Sequence, residues 1–164
     1  GTGSAMHFTL EMLKQRAGLD LVHVPFKGVG PAFIEVAEGR IEFLVEPVFS
    51  SLPHVKAGRL KPLATTGPRR SRQLPQIPTL AESLPGFHAE SFFGLVAPGG
   101  LDPSVAERIH RDVIAAMSAP EGASRIEAIG MAASPMGPGE FGDFLSSETR
   151  RWREVAKQAG LSAN

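Results

Sequence analysis

The sequence predicts an α/β fold: a mainly parallel β-sheet flanked by helices, followed by a helical C-terminal segment. Three observations predict it. Short apolar, β-branched runs alternate with stretches of helical periodicity through residue 66, Gly or Pro marks the boundaries between them, and the connections are short. Such alternation suits a sheet covered on both faces, whose ligands sit beyond the carboxyl ends of the strands.

Ser4 is the expected N-cap of a first helix reaching about Arg16, with Phe8, Leu10, Met12 and Leu13 as apolar positions and Ala17-Gly18 as its stop. Leu21-Val22-His23-Val24 reads as a short strand, closed by Pro25 and the loop Lys27-Gly28-Val29-Gly30-Pro31. A second helix is expected from about Pro31 to Glu38, a strand from Ile41 to Val45, a helix from Phe49 to Ala57, and a strand from Leu60 to Thr66. Residues Gly67 to Gly86 are polar, basic and proline-rich, an ordered loop in which Thr79 can start one helical turn. Glu90 to Pro98 reads as an apolar strand long enough to run between two lobes. Pro103 opens a helix carrying Val105, Ile109, Val113, Ile114 and Met117, and Ala123 to Ile129 forms a shorter one. The last helix, from about Glu140 to Ala159, aligns Phe141, Phe144, Leu145, Trp152 and Val155 on one side, and Gly160 stops it.

Composition narrows the function classes. With 42% hydrophobic residues, the 164-residue chain can bury the core of one domain, or of one lobe plus an appendage. Seventeen basic residues balance seventeen acidic ones, so no net field gathers nucleic acid, and Arg69-Arg70-Ser71-Arg72 reads as a solvated charge run. The absence of cysteine excludes disulfides, thiolate zinc sites and cysteine nucleophiles. Histidines at 7, 23, 54, 88 and 110 lack metal-ligand spacing, so no metal and no cofactor is expected. No apolar run approaches the ~20 residues that cross a bilayer, and the first residues do not read as an export signal.

Two segments and one acid carry the chemistry. In Gly1 to His7, glycines permit close backbone approach, the Ser4 hydroxyl can donate, and N–H groups at the helix start, Ala5 included, attract a carboxylate. The plain alternative is that Ser4 only caps its own helix and His7 is an ordinary first-turn residue. Phe26-Lys27-Gly28-Val29-Gly30-Pro31 offers a second set of donors at a helix start, with a positive charge on Lys27; a simple strand-to-helix turn is the alternative. Glu46 ends a strand, where its carboxylate can receive an ammonium or hydroxyl or merely be solvated. Thr65 and Thr66 are weaker candidates of the same kind, and His54 and Lys56 suit packing and solvation. A hydrolase built on Ser4 as nucleophile and His7 as base lacks a Gly-x-Ser-x-Gly elbow and an acid to orient the histidine.

Five strings, in order along nearly the whole chain, carry a family resemblance. Gly1-Thr2-Gly3-Ser4-Ala5-Met6-His7-Phe8 resembles a Gly-x-Gly-Ser/Thr-x-x-His-Leu segment, and Val24-Pro25-Phe26-Lys27-Gly28 a Val-Pro-Tyr-Lys-Gly segment. Residues Leu52 to Ala64, Leu74 to Glu82 and Phe93 to Pro98 resemble three further signatures of the same family. The family is the Bug/TctC group, the solute-binding receptors of tripartite tricarboxylate transporters.

The resemblance implies a two-lobed, periplasmic-binding-protein-like fold of type II, a periplasmic location, no enzymatic activity, a small carboxylate or amino acid as ligand, and membrane permease subunits as partners. It assigns residues 1–92 to the second lobe and residues 93–164 to a return strand and helices that dock on the first lobe, with most of that first lobe lying outside this chain. Gly3, Ser4, Ala5, His7, Phe26, Lys27, Gly28 and Glu46 are the ligand-binding residues it suggests. Phe26 stands where the family often has tyrosine, which leaves an aromatic wall without a phenolic hydroxyl. Exposed C-terminal helices make a homodimer the expected oligomer. A ligand-dependent sensor, or a remnant that binds nothing alone, is the competing reading.

Overall fold

The computed structural model describes residues 1–161, which contain six α-helices and one 3₁₀ turn. The helices are α1 Ala5–Ala17, α2 Val29–Ala37, α3 Val48–Lys56, α4 Pro103–Ser118, α5 Pro120–Ala128 and α6 Pro138–Gln158, and the 3₁₀ turn is Leu80–Glu82. The described residues form two compact units: residues 1–91 with 152–161, and Phe92–Arg151. No helix among the described residues is long and apolar enough to cross a membrane.

In the first unit, Met12, Phe87, Ala89 and Val155 make a buried cluster, with Phe8, Leu13, Leu80, Leu84 and Trp152 packed around it. The two turns of α1 that carry Phe8, Met12 and Leu13 are thereby fixed against the loop before residue 90 and against the end of α6. The loop itself is ordered by polar contacts. The Arg70 guanidinium donates to both Glu82 carboxylate oxygens at 2.8 and 2.6 Å, and Glu82 and Thr79 form a capping box around the 3₁₀ turn. Thr65 N–H donates to the Pro78 carbonyl (2.9 Å) and Leu80 N–H to the Thr65 carbonyl (2.8 Å), which pairs Thr65 with Thr79 in a parallel bridge.

The four segments read as strands, 21–24, 41–45, 60–66 and 90–98, form no ladder among the described residues, and this corrects the sequence reading at the level of elements. The segment 21–24 keeps a strand's two-residue alternation, with Leu21 and His23 partly buried and Val22 and Val24 exposed. It does not pair. A helix closes its hydrogen bonds within itself, whereas a strand needs a neighbour about 4.8 Å away, so local sequence delivers the first and cannot by itself deliver the second.

In the second unit, Asp102 caps α4: its carboxylate accepts from Ser104 N–H at 2.7 Å and from the Ser104 hydroxyl at 2.6 Å, with Pro103 at the first helical position. α5 begins at Pro120 rather than Ala123, because Ala119-Pro120 supplies the same proline start. α4 and α5 meet so closely at Gly122 that a β-carbon there would collide with the Ala116 carbonyl. Phe92 packs edge-on against Phe144, ring centroids 4.9 Å apart, and against Phe141 at 6.3 Å.

Candidate functional site

α1 begins in a small network. Ser4, with extended backbone, accepts the His7 N–H on its hydroxyl at 3.3 Å. The His7 imidazole turns back, and its Nδ1 accepts the Gly3 N–H at 3.1 Å. Gly3 has φ +76°, a left-handed conformation that a side chain would strain. His7 is only 5% exposed, and its ring stacks on that of His23 at 3.8 Å with 18° between the planes. Its Nε2 lies 3.9 Å from Glu11 Oε1, and the Lys14 ammonium sits 2.9 Å from that same oxygen. Burial, and then the neighbouring His7, hold the His23 pKa below the usual imidazole value.

Ser4 and His7 are thus engaged with the backbone rather than with each other: the hydroxyl serves the His7 amide, and Nδ1 serves Gly3. That arrangement caps a helix and shapes a turn. It does not present a base to a nucleophile. Ala5, exposed at the first position of α1, adds a backbone N–H to the same helix start.

The second segment comes close to the first. A β-carbon placed on Gly1 would lie 3.5 Å from the Phe26 carbonyl oxygen, so the backbones of residues 1 and 26 are neighbours. Gly28 precedes α2 with φ +101° and ψ 172°, a combination open essentially to glycine alone. No side chain caps α2, and the first-turn N–H groups are left for water or a ligand. Lys27 is exposed, with no ion pair among the described residues, while Phe26 is half-buried.

Glu46 is half-buried just before α3. Burial pushes its pKa up, and the hydrogen bond from the Ser50 hydroxyl, 3.1 Å away, opposes that rise. Thr65 and Thr66 belong elsewhere, tied into the loop of residues 78–89 through Pro78, Leu80 and Ala89. His54 packs on Phe33, with centroids 4.2 Å apart. Among the described residues no cluster of His, Asp or Glu is arranged to hold a metal. The residue that sequence reasoning passed over is His23. Its signal was present in the alternation of segment 21–24, which turns position 23 inward.

The profile of the tripartite tricarboxylate transporter family receptor matches residues 1–161. A protein of Pseudomonas sp. strain P51, described as a UPF0065 protein, is 33% identical over the whole of this chain, which covers 49% of that relative. Among solved structures, an R. palustris protein with adipate superposes with a TM-score of 0.88 at 31% identity, covering 98% of this chain and 54% of that one. MatC from Rhodopseudomonas palustris with bound malate gives 0.82 at 26% identity, covering 94% of this chain and 54% of that one. The chain therefore spans about half the length of each of these proteins, and it shares the α/β binding-protein architecture expected from its sequence. Five motifs in family order, a profile match over almost every residue and superpositions of this quality lead to one conclusion: the chain belongs to the tripartite tricarboxylate transporter receptor family, the Bug/TctC group.

Proposed function

We propose that the chain supplies one lobe of a periplasmic solute-binding receptor that captures a small dicarboxylate and presents it to the permease of a tripartite tricarboxylate transporter. The observation that carries this reading is the approach of two glycine-bearing helix starts, the first turn of α1 and the uncapped first turn of α2, brought together where Gly1 meets Phe26. Helix N-termini offer backbone N–H groups and a partial positive charge, the natural receivers of a carboxylate. Lys27 adds a full charge beside them, and Phe26 an apolar wall for a short methylene chain. Adipate and malate, bound by two relatives of similar fold, are both dicarboxylates, which supports that ligand class. Glu46, half-buried just before α3, discriminates in this reading: it repels a third carboxylate and accepts a ligand hydroxyl. In this reading residues 1–92 form the lobe, residues 93–151 return to its partner lobe, and the end of α6 packs back on the first.

Calorimetric titration with malate, succinate and adipate tests the reading, first on the chain alone and then with the other half of a family member added in trans. Saturable heat with a dicarboxylate is the expected result, reduced about tenfold or more in affinity by Lys27→Ala, since a charge-assisted hydrogen bond contributes about 1.5–3 kcal/mol. No saturable heat for any dicarboxylate in either format would sink the proposal.

A further inference from the structure

The two donor segments lie on one out-and-back run of chain. α1 leads away from Ser4 for 13 residues, Gly18 at φ +62° ends it, and residues 19–26 return to the start of the helix, where His23 meets His7 and Phe26 meets Gly1. Backbone pairing does not place the returning segment. Leu19 N–H donates to the Lys14 carbonyl at 3.0 Å, but among the described residues 20–26 take part in no backbone hydrogen bond. A segment without a ladder is placed by its side chains, and here Leu21 and His23 turn inward while Val22 and Val24 are exposed.

What His23 supplies is a flat face. Its ring lies 3.8 Å from that of His7 with 18° between the planes, and its nitrogens have no hydrogen-bond partner among the described residues. His7 is the fixed side of the pair. It is 5% exposed, and its Nδ1 accepts the Gly3 N–H at 3.1 Å, so its ring cannot swing without breaking that bond. The contact therefore joins a ring anchored at the start of α1 to a ring three residues before Phe26.

We propose that His23 is a positioning residue: its ring, stacked on the His7 imidazole, is a strut that fixes the Phe26–Gly28 turn against the start of α1 and thereby sets the spacing of the two helix starts and the length of ligand that spans them. The ligand step rests on the dicarboxylate reading above, whereas the strut does not. Without the stack, residues 26–28 take several placements, and apparent affinity falls by the fraction of the chain that holds the competent one. A stacked aromatic pair is worth a factor of about five in such a population, which is the expected loss for the preferred ligand. Discrimination falls with it. A fixed spacing suits one chain length, whereas a mobile spacing adapts to a shorter or a longer diacid alike.

The test reads the strut and the ligand separately, at pH 8, above the ordinary imidazole value. ¹⁵N relaxation of the 164-residue chain compares wild type, His23→Ala and His23→Phe. Phe keeps the flat face and discards the nitrogens. Order parameters of Phe26, Lys27 and Gly28 are expected near about 0.85 in the wild type, below about 0.6 in His23→Ala, and restored in His23→Phe. Residues 26–28 as ordered in His23→Ala as in the wild type, or still mobile in His23→Phe while α1 stays helical, overturn the strut. Should His23→Ala lose α1 as well, His23→Phe decides alone: wild-type order supports the strut and mobility overturns it. Calorimetric affinities for succinate and adipate, with the other half of a family member in trans, give the second readout. A residue that merely stabilised the fold would weaken both ligands equally. The expected result is a succinate-to-adipate affinity ratio that moves toward one in His23→Ala and returns in His23→Phe; an unchanged ratio overturns the link to ligand length. Order that follows the ring with no binding of either diacid keeps the strut and removes the ligand class.

Discussion

Replacement of Phe87 by Ala is the most demanding perturbation of this chain. Phe87 is 1% exposed and sits among Met12, Ala89 and Val155, with Leu80, Leu84 and Trp152 around them. A phenylalanine side chain buries about 150–250 Å², which at about 25 cal/mol per Å² amounts to roughly 4–6 kcal/mol of transfer free energy, an upper estimate because the unfolded chain hides part of that area. Measured Phe→Ala substitutions in cores cost about 3–5 kcal/mol, and that is the expected loss here. Since small proteins hold only about 5–15 kcal/mol in total, the variant should sit close to its unfolding threshold. Urea denaturation followed by the fluorescence of Trp152 is the natural assay. It is the single tryptophan of the chain, and its ring lies 6.0 Å from that of Phe8 beside the same cluster. Phe87→Leu should cost about 1.5 kcal/mol or less, and Val96→Ala, at a side chain 83% exposed, should stay within about 0.5 kcal/mol. If Phe87→Ala lost no more than Val96→Ala does, the cluster would not be the centre of the first unit, and the account of how α1 is held would fail with it.

Two further expectations concern protons. His23 is held below its ordinary value of 6.5 by burial first and His7 second, so the folded state prefers the neutral ring; its contribution to stability is complete above pH 6.5 and is lost as acid protonates it at the lower folded pKa. Melting temperatures should therefore fall as pH drops below 6.5, and an unchanged slope in His23→Gln would contradict the assignment. Glu82 is held down to about 2 by Arg70 first and by the Thr79 backbone next, so its contribution is present above the ordinary 4.5 and disappears only as pH falls toward 2. Carbon NMR should find this carboxylate ionised at pH 3 in the wild type and protonated there in Arg70→Leu.

The helices were legible because their signals are local. Ser4 before α1, Gly18 after it, Pro103 at the head of α4 and the Thr79 to Glu82 capping box each satisfy backbone groups within a few residues, and each appears where the sequence placed it. α2 starts two residues earlier than expected because Gly30, lacking a β-carbon, eases the clash that normally keeps the residue before proline out of a helix. The strands were legible only as pattern. Val22 and Val24 alternate with Leu21 and His23 as a strand should, but pairing is decided by what lies alongside, and no window of sequence contains that. The candidate site divides in the same way. Gly3, Ser4 and Gly28 declared themselves through motif and helix start, whereas the meeting of Gly1 with Phe26 and of His7 with His23 depends on residues far apart in sequence.

The cluster that anchors α1 also dictates when the chain can finish folding. Met12 and Val155 lie 143 residues apart in the sequence (155 − 12), yet both line the same small core. A ribosome must deliver Val155 before α1 meets that neighbour, and the intervening chain has to be gathered up before the contact rewards it. Until then Phe8 and Met12 stay available to other partners. The turn that opens α1 thus takes its lasting shape only after the end of α6 has been made.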